Sequence, residues 1–384
     1  LWCAMAVLSQ SFADGLNRVG PDFTTSLSLP PASYHDADVL AAEHDILFRK
    51  GWVGIGRADR WRDGGDFTAI DIGGVPVMVL RDKQGELRAF ANSCRHRGAK
   101  LLEGCGNVAR ITCPFHAWTY GLDGALRGAP RMGHSADFDT TANGLIPFRV
   151  ETRSGFAFLC LDETTPALDD WLGDFEAMHS PWPLASLRTM RRRELEVGCN
   201  WKLFLEVFNE YYHLPYVHGG TFGTIYGEPD AADDVEGAFT TQFGLTKGTG
   251  GLKEDEQEHS LPAMPKLDGR NRDGTRYTWA FPSMTFAVGT DAMWVYEARP
   301  ITTDRCHVTM SVCFPEETIA APGFESKAAH YYERMDDALE EDRGVLERQQ
   351  AGMTSPFAQQ GRFAELEPSV ANFAYWYARQ MKAA

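Results

Sequence analysis

The sequence predicts an α+β chain, a small antiparallel β domain followed by a larger domain of mixed helices and strands. Three observations carry this. Across residues 50–161, short β-prone runs (52–55, 75–80, 87–91, 110–113 and 155–161) alternate with Gly, Asp and Asn, the spacing of a compact antiparallel unit. After Pro166 the texture changes to helical periodicity over 171–178, 201–212 and 324–350, interleaved with aromatic strand-like runs at 277–288 and 293–299. Finally, 384 residues exceed what one core comfortably fills, which favours one large or two unequal domains.

Taken in order, the chain opens with an apolar stretch, residues 1–12, that has no basic n-region and is too short to span a bilayer. It reads as a terminal extension rather than a signal, and the protein is expected to be cytoplasmic. Within the β domain, Asp123-Gly124 followed by Ala125-Leu126 has the chemistry of a hairpin turn. Residues 227–276 are rich in Gly, Asp, Glu and Lys with weak apolar periodicity, and are expected to form a long mobile loop. No internal repeat or low-complexity tract is evident.

Composition narrows the partners. The chain is 43% hydrophobic and 23% charged, as folded globular proteins are. Its net charge of −16, without a stripe of Lys and Arg, argues against nucleic acid or an anionic membrane as a partner and fits a basic redox protein. Eight cysteines scattered over this length do not form a disulfide framework. Six (Cys3, Cys105, Cys160, Cys199, Cys306 and Cys313) read as small buried hydrophobes.

The other two cysteines have special neighbours. Cys94-Arg95-His96 and Cys113-Pro114-Phe115-His116 give the pattern C-x-H-x16-C-x2-H, each half pairing a thiolate with an imidazole. Structural zinc sites usually draw their first pair from a C-x2-4-C knuckle, and C-x-H is too tight for one. The spacing suits two loop tips that each give one Cys to one iron and one His to another. Two imidazoles in place of two thiolates raise the reduction potential of such a cluster.

A second constellation lies at His213 and His218. Five residues apart on an unbroken helix they would diverge by about 140°. Pro215 should end the helix at Leu214, leaving His213 on its last turn and His218 on the next segment, free to converge on one metal. Two His and one carboxylate suit ferrous iron that must bind oxygen. The C-terminal helix offers the carboxylate: Ala328, Tyr331, Tyr332, Met335, Ala338, Leu339, Val345 and Leu346 form an apolar stripe, and Asp342 falls inside it. A carboxylate on a buried face requires a partner or a metal. For Asp342 alone a buried Arg would serve equally well. Glu210, three residues before His213, would share its helical face and could contact it.

The segments CRHRGAKL and CPFHAWTYGLDGAL resemble the two cluster-binding loops of the Rieske domains in aromatic-ring-hydroxylating oxygenases, including Arg97-Gly98, Pro114, Trp118 and Tyr120. The resemblance implies a Rieske [2Fe-2S] cluster with Cys94 and Cys113 on one iron, and His96 and His116 on the other through exposed ring nitrogens. The second His pair resembles the catalytic E-x-x-H-x4-H motif of the same family, and Glu341-Asp342 with Glu347 and Gln349 resembles its C-terminal ligand segment. That places a mononuclear Fe(II) at His213, His218 and Asp342, with O2 as co-substrate.

It further implies that Glu210 bridges this iron to a Rieske His of a neighbouring subunit in a homotrimer or hexamer. The implied architecture is a Rieske domain at 48–161 inserted in a catalytic domain formed by 1–47 and 162–384, with a central antiparallel sheet of helix-grip type. Glu210 and the short Trp-to-His spacing are similar to members that are homotrimers and oxidise quaternary ammonium compounds or simple acids. Val207, Tyr211 and Leu214 depart from those members, where Asn and Cys are expected.

The function so implied is that of a terminal oxygenase. It takes electrons from a separate NAD(P)H-dependent reductase, directly or through a ferredoxin, because no nicotinamide fingerprint is present. It hydroxylates or oxidatively demethylates a small aromatic or quaternary ammonium substrate. A Rieske ferredoxin-like electron carrier is the alternative, but it would leave residues 162–384 without a task. Tyr277, Trp279, Phe281, Phe286, Trp294 and Tyr296 fall on strands expected to face the catalytic iron, where some could line a pocket.

Overall fold

The computed structural model of the protein describes residues 8–383. Cys3 and most of the apolar N-terminal stretch lie outside them. The remainder of that stretch is no loose extension. Ser9 caps a helix, Gln10–Leu16, whose Phe12 and Leu16 are buried in the main core against the C-terminal helix Pro368–Ala383.

The first domain is a seven-stranded antiparallel sheet with the order Val53–Arg57, Phe156–Cys160, Pro147–Arg153, Leu87–Ala91, Val75–Arg81, Asp66–Ile72 and Cys105–Asn107. A small three-stranded sheet at its tip (Ile111–Thr112, Thr119–Tyr120 and Leu126–Gly128) contains the expected turn, where Gly124 takes the positive φ that an L side chain resists. The second domain is built on another seven-stranded antiparallel sheet. Its order is Arg188–Val197, Arg305–Phe314, Met293–Thr302, Met284–Val288, Gly274–Ala280, Phe239–Thr246 and Tyr226–Pro229. The helices Trp201–Phe208 and Phe324–Met353 pack on it, giving the expected α+β class.

Two expectations fail here. The stretch 227–276 is not one mobile loop: Phe239–Thr246 is an interior strand, paired with Gly274–Ala280 on one side and Tyr226–Pro229 on the other. Its Thr240, Thr241 and Gln242 are buried and hydrogen-bonded, so a polar sequence hides a buried strand. The aromatic run 277–288 is two strands, because the chain reverses at Phe281–Pro282 between Ala280 and Met284.

The main core crosses the domain boundary, from Phe12, Val53 and Ile55 through Trp201 and Tyr296 to Tyr377. At its centre sits a fully buried ion pair, Lys202 Nζ to Glu43 Oε1 at 2.6 Å. Glu43 also accepts hydrogen bonds from Trp201 Nε1 and the Tyr377 hydroxyl. A separate core of Phe67, Met78, Leu80, Phe90, Trp118 and Tyr120 supports the tip of the first domain. No helix among the described residues is long and apolar enough to cross a membrane.

Candidate metal centres and active site

At the tip, two tight loops hold the Cys/His pairs in related conformations. The Gly98 N–H donates to the Cys94 carbonyl and the Cys94 N–H to the Ala99 carbonyl. In the second loop the Ala117 N–H donates to the Cys113 carbonyl and the Cys113 N–H to the Trp118 carbonyl. Gly98 and Ala117, each four residues past its Cys, both have positive φ. The two thiols are buried. The imidazoles of His96 and His116 lie with ring centroids 4.8 Å apart, His96 stacked flat on Trp118. The Tyr120 hydroxyl lies 3.3 Å from Cys94 Sγ and accepts the Arg95 N–H.

His96 Nδ1 is buried without any partner, a nitrogen that a metal would complete. Two thiolates and two imidazoles around such a centre fit a Rieske cluster, with the free His96 nitrogen facing inward rather than outward. Of the six cysteines read as buried, Cys160, Cys199, Cys306 and Cys313 are so, whereas Cys105 is exposed on an edge strand.

The second donor set is assembled by a break in the chain rather than by a continuous helix. Asn200 caps the helix Trp201–Phe208 by accepting the Lys202 N–H. Asn209 ends it: its side-chain amide turns back to the Leu205 carbonyl and its oxygen accepts the Thr285 hydroxyl. Pro215 therefore does not stop the first helix. It sits in the first turn of a new one, Leu214–Val217, where its missing N–H leaves no bond unmade. His213 and His218 are the two caps of that single turn, and this brings their rings to 5.0 Å.

Asp342, on the long helix, points between them. Its Oδ1 is 3.0 Å from His218 Nε2 and 3.8 Å from His213 Nε2. One ligand atom from each of the three residues lies within 4.8 Å of the others, the grouping that a single ion needs. Asp342 Oδ1 is buried without a hydrogen-bond donor, and no Arg pairs with Asp342 among the described residues.

The outer nitrogens of both imidazoles are already committed. His213 Nδ1 lies 2.5 Å from Glu210 Oε1, and His218 Nδ1 lies 2.6 Å from Glu341 Oε2. Each carboxylate fixes the tautomer that leaves Nε2 as a lone-pair donor toward Asp342. The Glu210 contact exists as expected, but its residue is not helical; its Oε2 accepts the His213 N–H in the turn. The contact of Glu341 with His218 has no signal in the apolar periodicity, since Glu341 lies off the stripe. Only its adjacency to Asp342 hinted at a role.

A cavity opens beside these ligands, walled by Phe204, Phe208, Tyr277, Trp294 and Tyr296, with Arg334 in its lining. Of the six aromatic residues flagged on the strands, Tyr277, Trp294 and Tyr296 line it. Trp279 and Phe281 pack instead on Phe373, and Phe286 packs on Phe156. Burial pushes the Tyr277 and Tyr296 hydroxyls far above their usual range, so both remain neutral.

Residues 51–143 match the Rieske [2Fe-2S] domain and residues 184–383 match the catalytic domain of the ring-hydroxylating alpha subunit. The fold and the two donor sets thus define a Rieske-type oxygenase subunit, an enzyme that works with a Rieske cluster, a mononuclear iron and O2. The chain belongs to the ring-hydroxylating alpha-subunit family. It is 30% identical to a glycine betaine monooxygenase oxygenase subunit of Pseudomonas aeruginosa, covering 93% of this chain and 89% of that one. A carnitine monooxygenase oxygenase subunit of Acinetobacter pittii is 26% identical over 85% of each chain.

Among solved structures, a quaternary ammonium Rieske monooxygenase superposes with a TM-score of 0.79 at 24% identity, covering 98% of this chain and 100% of that one. Naphthalene 1,2-dioxygenase from Rhodococcus sp. gives 0.81 at 19% identity, covering 97% and 98%.

Proposed function

We propose that this oxygenase subunit oxidises a small quaternary ammonium compound at an iron held by His213, His218 and Asp342. Electrons arrive through a cluster held by Cys94, His96, Cys113 and His116. The observation that carries the iron assignment is the convergence of three ligand atoms within 4.8 Å, two of them on imidazoles already oriented by Glu210 and Glu341.

When bound there, iron supplies reduction of O2 and insertion of one oxygen atom into a substrate C–H bond, with two electrons and two protons forming water from the other atom. The chain's own residues prepare that step. Glu210 and Glu341 lock both rings; Phe204, Phe208 and Tyr296 exclude water from the wall; Tyr277 stays neutral and ties the wall together through a 2.8 Å bond to the Tyr226 hydroxyl. The aromatic wall favours a methylammonium group through cation–π attraction. Two relatives at 26–30% identity carry names that point to the same substrate class.

The electron source is a separate NAD(P)H-dependent reductase, alone or with a ferredoxin, and the assembly is a homotrimer or a hexamer. Support for inter-subunit transfer comes from exposed aromatic groups at both ends of the path: Phe115 beside His116 is 59% exposed, and Tyr216 beside the iron ligands is 79% exposed. Glu210, already bonded to His213, would bridge that ligand to a Rieske His of the neighbouring subunit.

A surrogate reductase and a panel of aromatic acids and trimethylammonium compounds test the reading. Formaldehyde released in proportion to O2 consumed, from the ammonium compounds alone, is expected. Coupled hydroxylation of the aromatic acids, with no turnover of the ammonium compounds, would reject it.

A further inference from the structure

Arg334 is the charged group in the cavity wall that the oxygenase reading does not use. It lies on the long helix two turns before Asp342, about 12 Å along the axis at about 1.5 Å per residue, and is 3% exposed. Its guanidinium is packed over Phe222 at 3.7 Å and 5.3 Å from the Trp294 ring centre. Nη2 donates to the Tyr226 hydroxyl at 3.1 Å, and Nη1 makes only a weak contact with Met335 Sδ. Nε is buried with no acceptor, and no carboxylate pairs with Arg334 among the described residues.

A buried cation without a counter-ion is unfavourable unless a ligand provides one. Trp294 Nε1, in the same wall, is a second buried donor without a partner. Tyr277 and Tyr296, in the same wall, are held neutral by burial and supply no negative charge. One end of the cavity is thus positive and donor-rich, and the other end is the iron site with its carboxylates. The walls between are aromatic.

We propose that Arg334 receives a carboxylate of the substrate, so that the molecule oxidised is a carboxylate-bearing quaternary ammonium compound. The cationic half rests on the reading above; the carboxylate half rests on Arg334 alone. The planar guanidinium suits a carboxylate, and sandwiching between two rings fixes its orientation. Charge at both ends would align the molecule along the cavity, with its methylammonium group directed toward the iron ligands. Arg334 is a positioning and specificity residue.

The test compares kcat/KM in the reconstituted holoenzyme for trimethylammonioacetate and 4-trimethylammoniobutanoate, the corresponding alcohols, which lose the carboxylate, and 3,3-dimethylbutanoate, which keeps the carboxylate and loses the cation. The wild-type enzyme is expected to favour an ammonium carboxylate over its alcohol by about 100-fold or more. Arg334→Gln should bring that ratio to within a few-fold, mainly through KM, and Arg334→Lys should restore part of it.

Equal use of acid and alcohol by the wild type, no oxidation of any carboxylate in the panel, or a ratio that survives Arg334→Gln overturns the proposal. The wild-type comparison decides even where the Gln variant does not fold. Oxidation of 3,3-dimethylbutanoate as good as that of the ammonium acids, with the alcohols rejected, would sustain Arg334 and sink the ammonium reading. Use of the alcohols as good as that of the acids would do the reverse.

Discussion

Each ligand imidazole depends on the carboxylate behind it. Glu341 accepts from Thr221 Oγ1 at 3.0 Å as well as engaging His218, so its position is fixed independently of any metal. Glu341→Ala should therefore lower iron retention or turnover by about 10- to 100-fold while leaving the Rieske absorbance unchanged. Iron titration into the variant, followed by optical spectroscopy, checks this; wild-type iron affinity would remove Glu341 from the site.

Asp342 was legible because a carboxylate inside an apolar stripe demands an explanation. The same logic, applied to a cation, would have found Arg334: it lies three residues after Tyr331 and four before Ala338, inside that stripe. The contact of Glu341 with His218 was not legible, because the two residues are distant in sequence and meet only through the fold.

Among the elements, the short helix Leu214–Val217 shows why spacing alone misled. A Pro can end one helix or begin another, and the choice was made upstream by Asn209, whose side-chain bonds close the helix Trp201–Phe208. Polar residues likewise concealed the strand Phe239–Thr246, whose partners become visible only once the sheet exists.

The buried Lys202–Glu43 pair joins the helix Trp201–Phe208 to the segment Ala37–Glu43. Glu43→Leu should destabilise the protein by about 3–5 kcal/mol, because the buried Lys202 loses its ion-pair partner. Adding Lys202→Met should recover much of that loss. Urea unfolding of the three proteins checks it, and a single variant as stable as wild type would contradict it.

His179 gives a pH signature. It is buried between the Phe175 carbonyl and Thr278 Oγ1, and burial pulls its pKa down to about 3. The unfolded chain, with an ordinary His, binds the proton near pH 6.5 while the folded chain does not. Its contribution is complete above pH 6.5 and is lost as pH falls toward 3, amounting to about 2 kcal/mol by pH 5. Unfolding free energies of wild type and His179→Gln between pH 7 and pH 5 should therefore converge by roughly that amount; parallel curves would contradict it.

For the whole molecule, one hydrophobic core binds the two domains of a chain, while Phe115 and Tyr216 at the edges of the two metal sites are exposed. If the cluster of one subunit serves the iron of the next, co-assembled His116→Ala and His213→Ala chains should regain turnover that neither homo-oligomer has. Failure of the mixture, with both variants folded and assembled, would place the electron path within one chain. Motif spacing and stripe periodicity point to residues that the fold then sets close together: His213, His218 and Asp342 in one group, and the rings of His96 and His116 in another. The cavity lining was not, because it is drawn from strands, a helix turn and the long helix that meet only in three dimensions.

The most direct test of the account is iron counted per chain in wild type and Asp342→Ala, with the Rieske EPR signal of the reduced protein as reference. About three irons in the wild type and two in the variant, with an unchanged Rieske signal, is the result expected from a two-iron cluster plus one mononuclear site. Equal iron in both proteins, or loss of the Rieske signal together with the third iron, would contradict it.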